Sequence, residues 1–112
     1  AMQLAAATAL EAEADWYEGN NENYRNRRHL AGEIMKTLGC TYDEKQVGMF
    51  LWGKIPASCK DVEELTEKVL HEARVFITPG FIFGSNGARY IRISLCCKDN
   101  KLAEALERIK RI

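Results

Sequence analysis

No apolar run in this 112-residue chain approaches the roughly 20 residues that a membrane-spanning helix needs, and no basic segment followed by an apolar core stands near its start. A membrane partner and a secretory leader are therefore not expected, and the chain reads as cytoplasmic. Net charge is also missing. Sixteen basic and sixteen acidic residues cancel, which removes the electrostatic footprint of a nucleic-acid binder. His29 and His71 are the only histidines, far apart and in no metal-ligand spacing. The four cysteines, Cys40, Cys59, Cys96 and Cys97, lack the paired spacing of zinc sites, and the adjacent pair would point to opposite faces of a strand. They read as reduced structural thiols, so no metal site is expected. No Ser-His-Asp or Cys-His set can be assembled, and no paired carboxylates stand at strand ends. The glycine-bearing stretch from Pro79-Gly80 to Gly87 lacks the spacing and the Lys-Ser or Lys-Thr of a phosphate loop. Self-contained catalysis is not legible.

What is present is a composition that is 46% hydrophobic, enough for one globular domain over residues 1–112 with a core that needs no disulfide or metal. Residues 2 to about 17 are rich in alanine and leucine and predict a helix, kinked or broken around Gly19-Asn20-Asn21. Leu30, Ile34 and Leu38 then describe one stripe of a second helix, stopped at Gly39. Thr41-Tyr42 is a short candidate strand and Val47 to Ile55 a longer one, ended by Pro56. Asp61 with Glu64 predicts a capped helix that buries Val62, Leu65, Val69 and Ala73 and closes near Arg74. Val75 to Thr78 reads as a third strand and Tyr90 to Leu95 as a fourth. Phe76, Phe81 and Phe83 are expected to pack beneath the intervening loop. A last helix, capped near Asp99 or Asn100, turns Leu102, Leu106, Ile109 and Ala105 inward. The order predicts an α+β fold: a small, mainly antiparallel sheet covered by helices on one face, with a long helix or helix pair at the N-terminus.

Within the run Tyr90-Ile91-Arg92-Ile93-Ser94-Leu95, period-two alternation sends the aliphatic side chains to one face and Tyr90, Arg92 and Ser94 to the other. Arg92 is a permanent cation whose planar fork of N–H donors matches a carboxylate by two parallel hydrogen bonds. By itself the hexapeptide is better explained by an arginine that faces solvent or pairs with a neighbouring Glu. The cluster of Tyr24, Arg25, Arg27 and Arg28 beside Glu22 reads as a solvated face paired with nearby acids.

Four segments in order, Tyr24 to Arg28, Gly48-Met49-Phe50-Leu51-Trp52, Pro79-Gly80 with Phe83-Gly84, and Tyr90 to Leu95, resemble the C-terminal small domain of fold-type I, pyridoxal-phosphate-dependent aminotransferases of class I/II. The similarity is to the branch with aspartate, alanine and diaminopimelate aminotransferases. It implies that Arg92 grips the substrate α-carboxylate. Gly48 matches the small residue that opens an aromatic strand near the substrate, although Met49 departs from the family's usual step there. It further implies a parent that moves an amino group between an amino acid and a 2-oxo acid, uses pyridoxal phosphate, and is a homodimer. The Schiff-base lysine and the other cofactor-binding residues have no counterpart in this sequence, so no catalytic or cofactor-binding residue is assigned and the chain alone is expected to be inactive and cofactor-free. Residues 1–20 are then the end of the helical segment joining the two domains, and Ala1 before Met2 reads as a cloning remnant. The alternative is a free-standing, non-catalytic α+β module that binds amino acids or regulates.

Overall fold

The computed structural model describes all residues from Ala1 to Ile112. Helix α1 spans Met2–Leu10 and α2 Ala14–Thr37, so the break falls at residues 11–13 and α2 runs unbroken through Gly19. Charge accounts for the shift from the expected break at Gly19-Asn20-Asn21. A continuous helix would stack the carboxylates of Glu11 and Asp15 one turn apart, whereas a fresh start at Ala14 places Asp15 in the first turn, at the positive end of the dipole. Tyr17 Oη donates to the Ala9 carbonyl at 2.6 Å and bridges the break.

Strand β1 covers Phe50–Lys54, β2 only Thr78–Pro79, and β3 Tyr90–Ser94; they form an antiparallel sheet in the order β1-β3-β2. The expected strand at Thr41-Tyr42 is a single bridge to Lys54. The strand expected from Val47 starts at Phe50, because Gly48 adopts φ +95° and turns the chain out of the extended region. Val75 to Ile77 does not pair. It leaves a helix through left-handed Arg74, and the Val75 N–H is spent on the Val69 carbonyl.

Helix α3, Val62–Lys68, is capped as its sequence predicts: Asp61 Oδ1 accepts from the Glu64 N–H at 2.8 Å. It continues as a π-helical segment over Val69–Ala73 with Arg74 as the cap. Two 3₁₀ turns, Gly80–Phe83 and Ser85–Gly87, lead to β3. Helix α4 spans Asp99–Ile109 with Lys98 at its cap and no capping side chain, since the Asp99 carboxylate is taken by Arg27.

One face of the sheet is dry. Leu51, Ile91 and Ile93 lie there, buried against Ile34 and Met35 of α2, Val62, Leu65 and Val69 of the α3 segment, and Leu102, Leu106 and Ile109 of α4. The strands, the α3 segment and α4 bury the faces that periodicity predicts, whereas α2 buries Ala31, Ile34 and Met35 and leaves Leu30 and Leu38 of the expected stripe only partly buried. Seventeen buried apolar residues make one continuous cluster, so the α+β layer with helices on one face stands. Helix α1 contributes no buried residue. No helix is long and apolar enough to cross a membrane.

Candidate functional site

The face of the sheet turned away from the helices carries Phe50 and Trp52 of β1, Thr78 of β2, and Tyr90, Arg92 and Ser94 of β3. The register sets Phe50 opposite Ser94, and Arg92 between Trp52 and Thr78 on its two neighbours. Side chains on this face form one chain of contacts. Tyr90 stacks on Trp52 with centroids 5.3 Å apart and planes 14° off parallel, and Trp52 meets the edge of Phe83 at 6.1 Å. The Arg92 guanidinium carbon lies 4.2 Å from the Phe83 centroid and 4.1 Å from that of Phe50. Two aromatic faces thus take up the flat, weakly hydrated sides of the guanidinium, each contact being worth about 0.5–1 kcal/mol when partly solvated.

The rings leave its edge free. None of the chain's ion pairs involves Arg92, and its side chain makes no hydrogen bond within the protein. Other half-buried arginines behave differently. Arg89 gives its N–H groups to the carbonyls of Pro56, Cys59 and Lys60 at 2.8–2.9 Å, and Arg27 donates to Asp99 at 2.9 Å and to the Leu95 carbonyl at 3.1 Å. Those two are staples. Arg92 is held by its faces while its donors point to no internal acceptor.

Beside Arg92, where β2 is too short to cover the end of β3, a cavity of about 290 Å³ opens between the Val75–Thr78 segment, β3 and the first turns of α4. Thr78, Ser94, Cys97 and Lys101 line it with Arg92, over an apolar floor that includes Ile93 and Leu102. Its charged residues are both cations, and no carboxylate lines it. Ile34, Leu102 and Ala105 set it toward the helix-covered side, and the two rings that hold the guanidinium, Phe50 and Phe83, do not line it.

Gly48 is not brought to that cavity. Two residues before Phe50, it lines a separate open groove of about 560 Å³ with Tyr24, Arg25, Arg28 and Met49. The cluster from Tyr24 to Arg28 is divided likewise. Arg25 pairs with Glu22 on the surface, as a solvated face predicts, but Arg27 reaches Asp99, and Arg28 Nη2 donates to the Gly48 carbonyl at 2.6 Å. Phe76, Phe81 and Phe83 are all exposed rather than packed under the loop. Pattern alone missed Phe50 and Phe83 as partners of Arg92. Alternation along β1 puts Phe50 and Trp52 on one face, but only the register sets that face beside Arg92.

The thiols are free, and burial pushes Cys40 up to about 11, helped by the nearby charge of Cys59. Tyr42, and then the Glu33 hydrogen bond, raise exposed Lys36. Neither group faces Arg92, and no cluster of ligating side chains could hold a metal ion.

The sequence profile described as aminotransferase class I and II matches residues 1–109. Among curated relatives, an LL-diaminopimelate aminotransferase of Desulforudis audaxviator is 36% identical over 97% of this chain and 28% of its own length. Transaminase BacF of Bacillus subtilis is 31% identical over 99% of this chain and 28% of its own length. Among solved structures, an aromatic aminotransferase from Pyrococcus horikoshii superposes with a TM-score of 0.80 at 33% identity, over 97% of this chain and 30% of that one. The chain therefore spans a little over a quarter of the length of the relatives it matches.

Proposed function

The chain belongs to the class I and II aminotransferase family, and from that premise we propose that it is the C-terminal small domain of a homodimeric, cytoplasmic, pyridoxal-phosphate-dependent transaminase in which Arg92 binds the substrate α-carboxylate. The observation that carries the assignment is the free edge of Arg92. Its two faces rest on Phe50 and Phe83, and its donors have no acceptor inside the chain. A guanidinium held this way loses little entropy on meeting a carboxylate, because its plane is already fixed. Thr78, directly opposite Arg92 in the register, and Ser94, two residues on, share its face of the sheet. Binding the carboxylate at a fixed point orients the amino or oxo carbon of the substrate toward whatever performs the chemistry, which is the positioning share of catalysis.

Pyridoxal phosphate supplies the electron sink of this reaction class. The residues around Arg92 do not fit it by themselves. No carboxylate is present to hold a pyridine nitrogen, and the single lysine of the cavity, Lys101, lies 3.7 Å from Glu104. The cofactor is accordingly assigned to the rest of the protein, and this chain to substrate recognition. Gly48 is retained as a contact only at second hand, through the strand it opens.

A free-standing module that binds amino acids is the competing reading. Such a module needs an opposite charge for the ammonium group as well as a cation for the carboxylate, and no carboxylate lines the cavity beside Arg92. The decisive experiment is Arg92→Ala in the complete enzyme. Transamination efficiency is expected to fall by roughly 10²-fold or more, corresponding to the loss of about 3 kcal/mol of charge-assisted hydrogen bonding. Unchanged steady-state kinetics would remove the assignment.

A further inference from the structure

We propose that Arg27 and Arg28, adjacent on α2, are positioning residues that set the Arg92 guanidinium by gripping the two strand ends it depends on. Its consequence for catalysis rests on the carboxylate reading of Arg92. The grip itself does not.

At one end of the sheet the chain enters β1 through Gly48 and Met49 and leaves β3 through Leu95. Arg28 Nη2 donates to the Gly48 carbonyl at 2.6 Å, and Arg27 Nη1 donates to the Leu95 carbonyl at 3.1 Å while its Nε pairs with Asp99 at 2.9 Å. Between these two points the Leu95 N–H donates to the Met49 carbonyl at 2.8 Å, closing the ladder just beyond the Phe50–Ser94 pair. The ring of Phe50 is one residue from that closure, and Arg92 rests on it. A shift of Gly48 against Leu95 therefore moves the ring on which Arg92 lies. At the Gly48 turn, φ is +95° and a Cβ there would meet no atom within 4 Å, so no side-chain packing fills that side of the turn. Arg28 supplies the brace.

Stability alone does not account for Arg28. Its Nη1 is buried without an acceptor, which offsets what the bond to Gly48 contributes. A side chain that brings a buried unsatisfied donor and one strong contact does more to fix a position than to deepen the fold. An apolar residue of similar length should keep the packing of the stem and lose the grip.

The experiment follows the Arg92 side-chain Nε–H resonance in this chain, which the ring currents of Phe50 and Phe83 are expected to displace from the position of a solvated arginine. In Arg28→Met the resonance is expected to move toward the solvated position with the melting temperature nearly unchanged, and Arg27→Met should move it in the same sense. Arg28→Lys, which can still donate to the Gly48 carbonyl, should restore it. In the complete enzyme Arg28→Met should raise KM for both amino acid and oxo acid by roughly tenfold with a much smaller change in kcat. A folded Arg28→Met whose Arg92 resonance stays in place overturns the proposal. So does an Arg28→Met that fails to fold, since the arginine is then structural. If the resonance moves and KM does not, the positioning pair stands and the carboxylate role of Arg92 falls.

Discussion

Replacing Gly87 by alanine tests whether the loop that carries Phe83 is built as described. A Cβ at Gly87 would stand 2.0 Å from the Gly80 carbonyl oxygen and 2.5 Å from its carbon, and a Cβ at Gly80 would stand 2.4 Å from the Gly87 oxygen. Both obstacles are backbone, so no rotamer change relieves them. The cost is capped by the cheapest escape, which is for the loop from Gly80 to Gly87 to lift away from the sheet. Lifting forfeits the contact of Phe83 with Arg92, at about 0.5–1 kcal/mol, and its edge contact with Trp52, at about 0.5–1.5 kcal/mol. Adding strain in the short 3₁₀ turns brings the expected loss to about 2–4 kcal/mol. A domain of this size is stable by roughly 5–15 kcal/mol, so the variant should fold. Urea unfolding followed by Trp52 fluorescence, in a Trp16→Phe background, measures the loss. Equilibrium binding of a 2-oxo acid to the complete enzyme should weaken in parallel, because Arg92 has lost one of its two rings. A destabilisation below about 0.5 kcal/mol would refute the close approach, and with it the placement of Phe83.

The Cys40 thiol gives a pH signature. Its folded value of about 11 lies above the ordinary 9.0, so the native state keeps a proton that the unfolded chain releases. Stability from this residue is complete below pH 9 and declines through pH 11, by about 1–2 kcal/mol after allowance for solvent screening, and Cys40→Ala should flatten the urea-midpoint profile in that window. Exposed Cys96 and Cys97 should react with a thiol reagent at neutral pH well before Cys40. Arg74 holds φ 57° at the end of the α3 segment, so Arg74→Gly should stabilise the chain by about 0.5–1 kcal/mol in thermal or urea unfolding. Mixing this chain with pyridoxal phosphate and borohydride should give no single labelled lysine by peptide mapping; selective labelling of Lys101 would contradict the division of labour proposed above.

Periodicity was sufficient along the α3 segment and α4, and less so along α2, where Ala31 and Met35 are buried in place of Leu30 and Leu38. Val62, Leu65, Val69 and Ala73 lie buried along one segment, and Leu102, Leu106 and Ile109 along another, because an amphipathic helix has one way to cover a sheet. The Asp61 cap was legible for the same local reason. Expectations failed where a distant or electrostatic partner overrides propensity. Asp99 reads as a helix cap but is spent on Arg27, 72 positions earlier in the chain. Val75 to Thr78 has strand composition, yet left-handed Arg74 leaves only Thr78 in the ladder. At the site, alternation put Arg92 on the face away from Ile91 and Ile93, and the structure does the same. It could not show that Phe50 and Phe83 flank the guanidinium, since those contacts join segments more than 40 residues apart or cross a loop.

The energetics of Arg92 also limit what this chain can do alone. A bidentate, charge-assisted contact contributes about 1.5–3 kcal/mol net, whereas a dissociation constant of 1 mM requires about 4 kcal/mol. Arg92 by itself therefore holds a carboxylate only at concentrations above the millimolar range, and the hydroxyls of Thr78 and Ser94 add too little to change the order of magnitude. Useful affinity demands a second charged contact of opposite sign for the amino group, and the cavity beside Arg92 contains no carboxylate to make it. A module that sensed free amino acids would be poorly served by that arrangement. An enzyme would not be, because there the second group of the substrate is the reacting centre and must be left to the chemistry. An arginine whose faces are fixed and whose edge is free, beside a cavity without acids, thus favours the proposed clamp over the free-standing module.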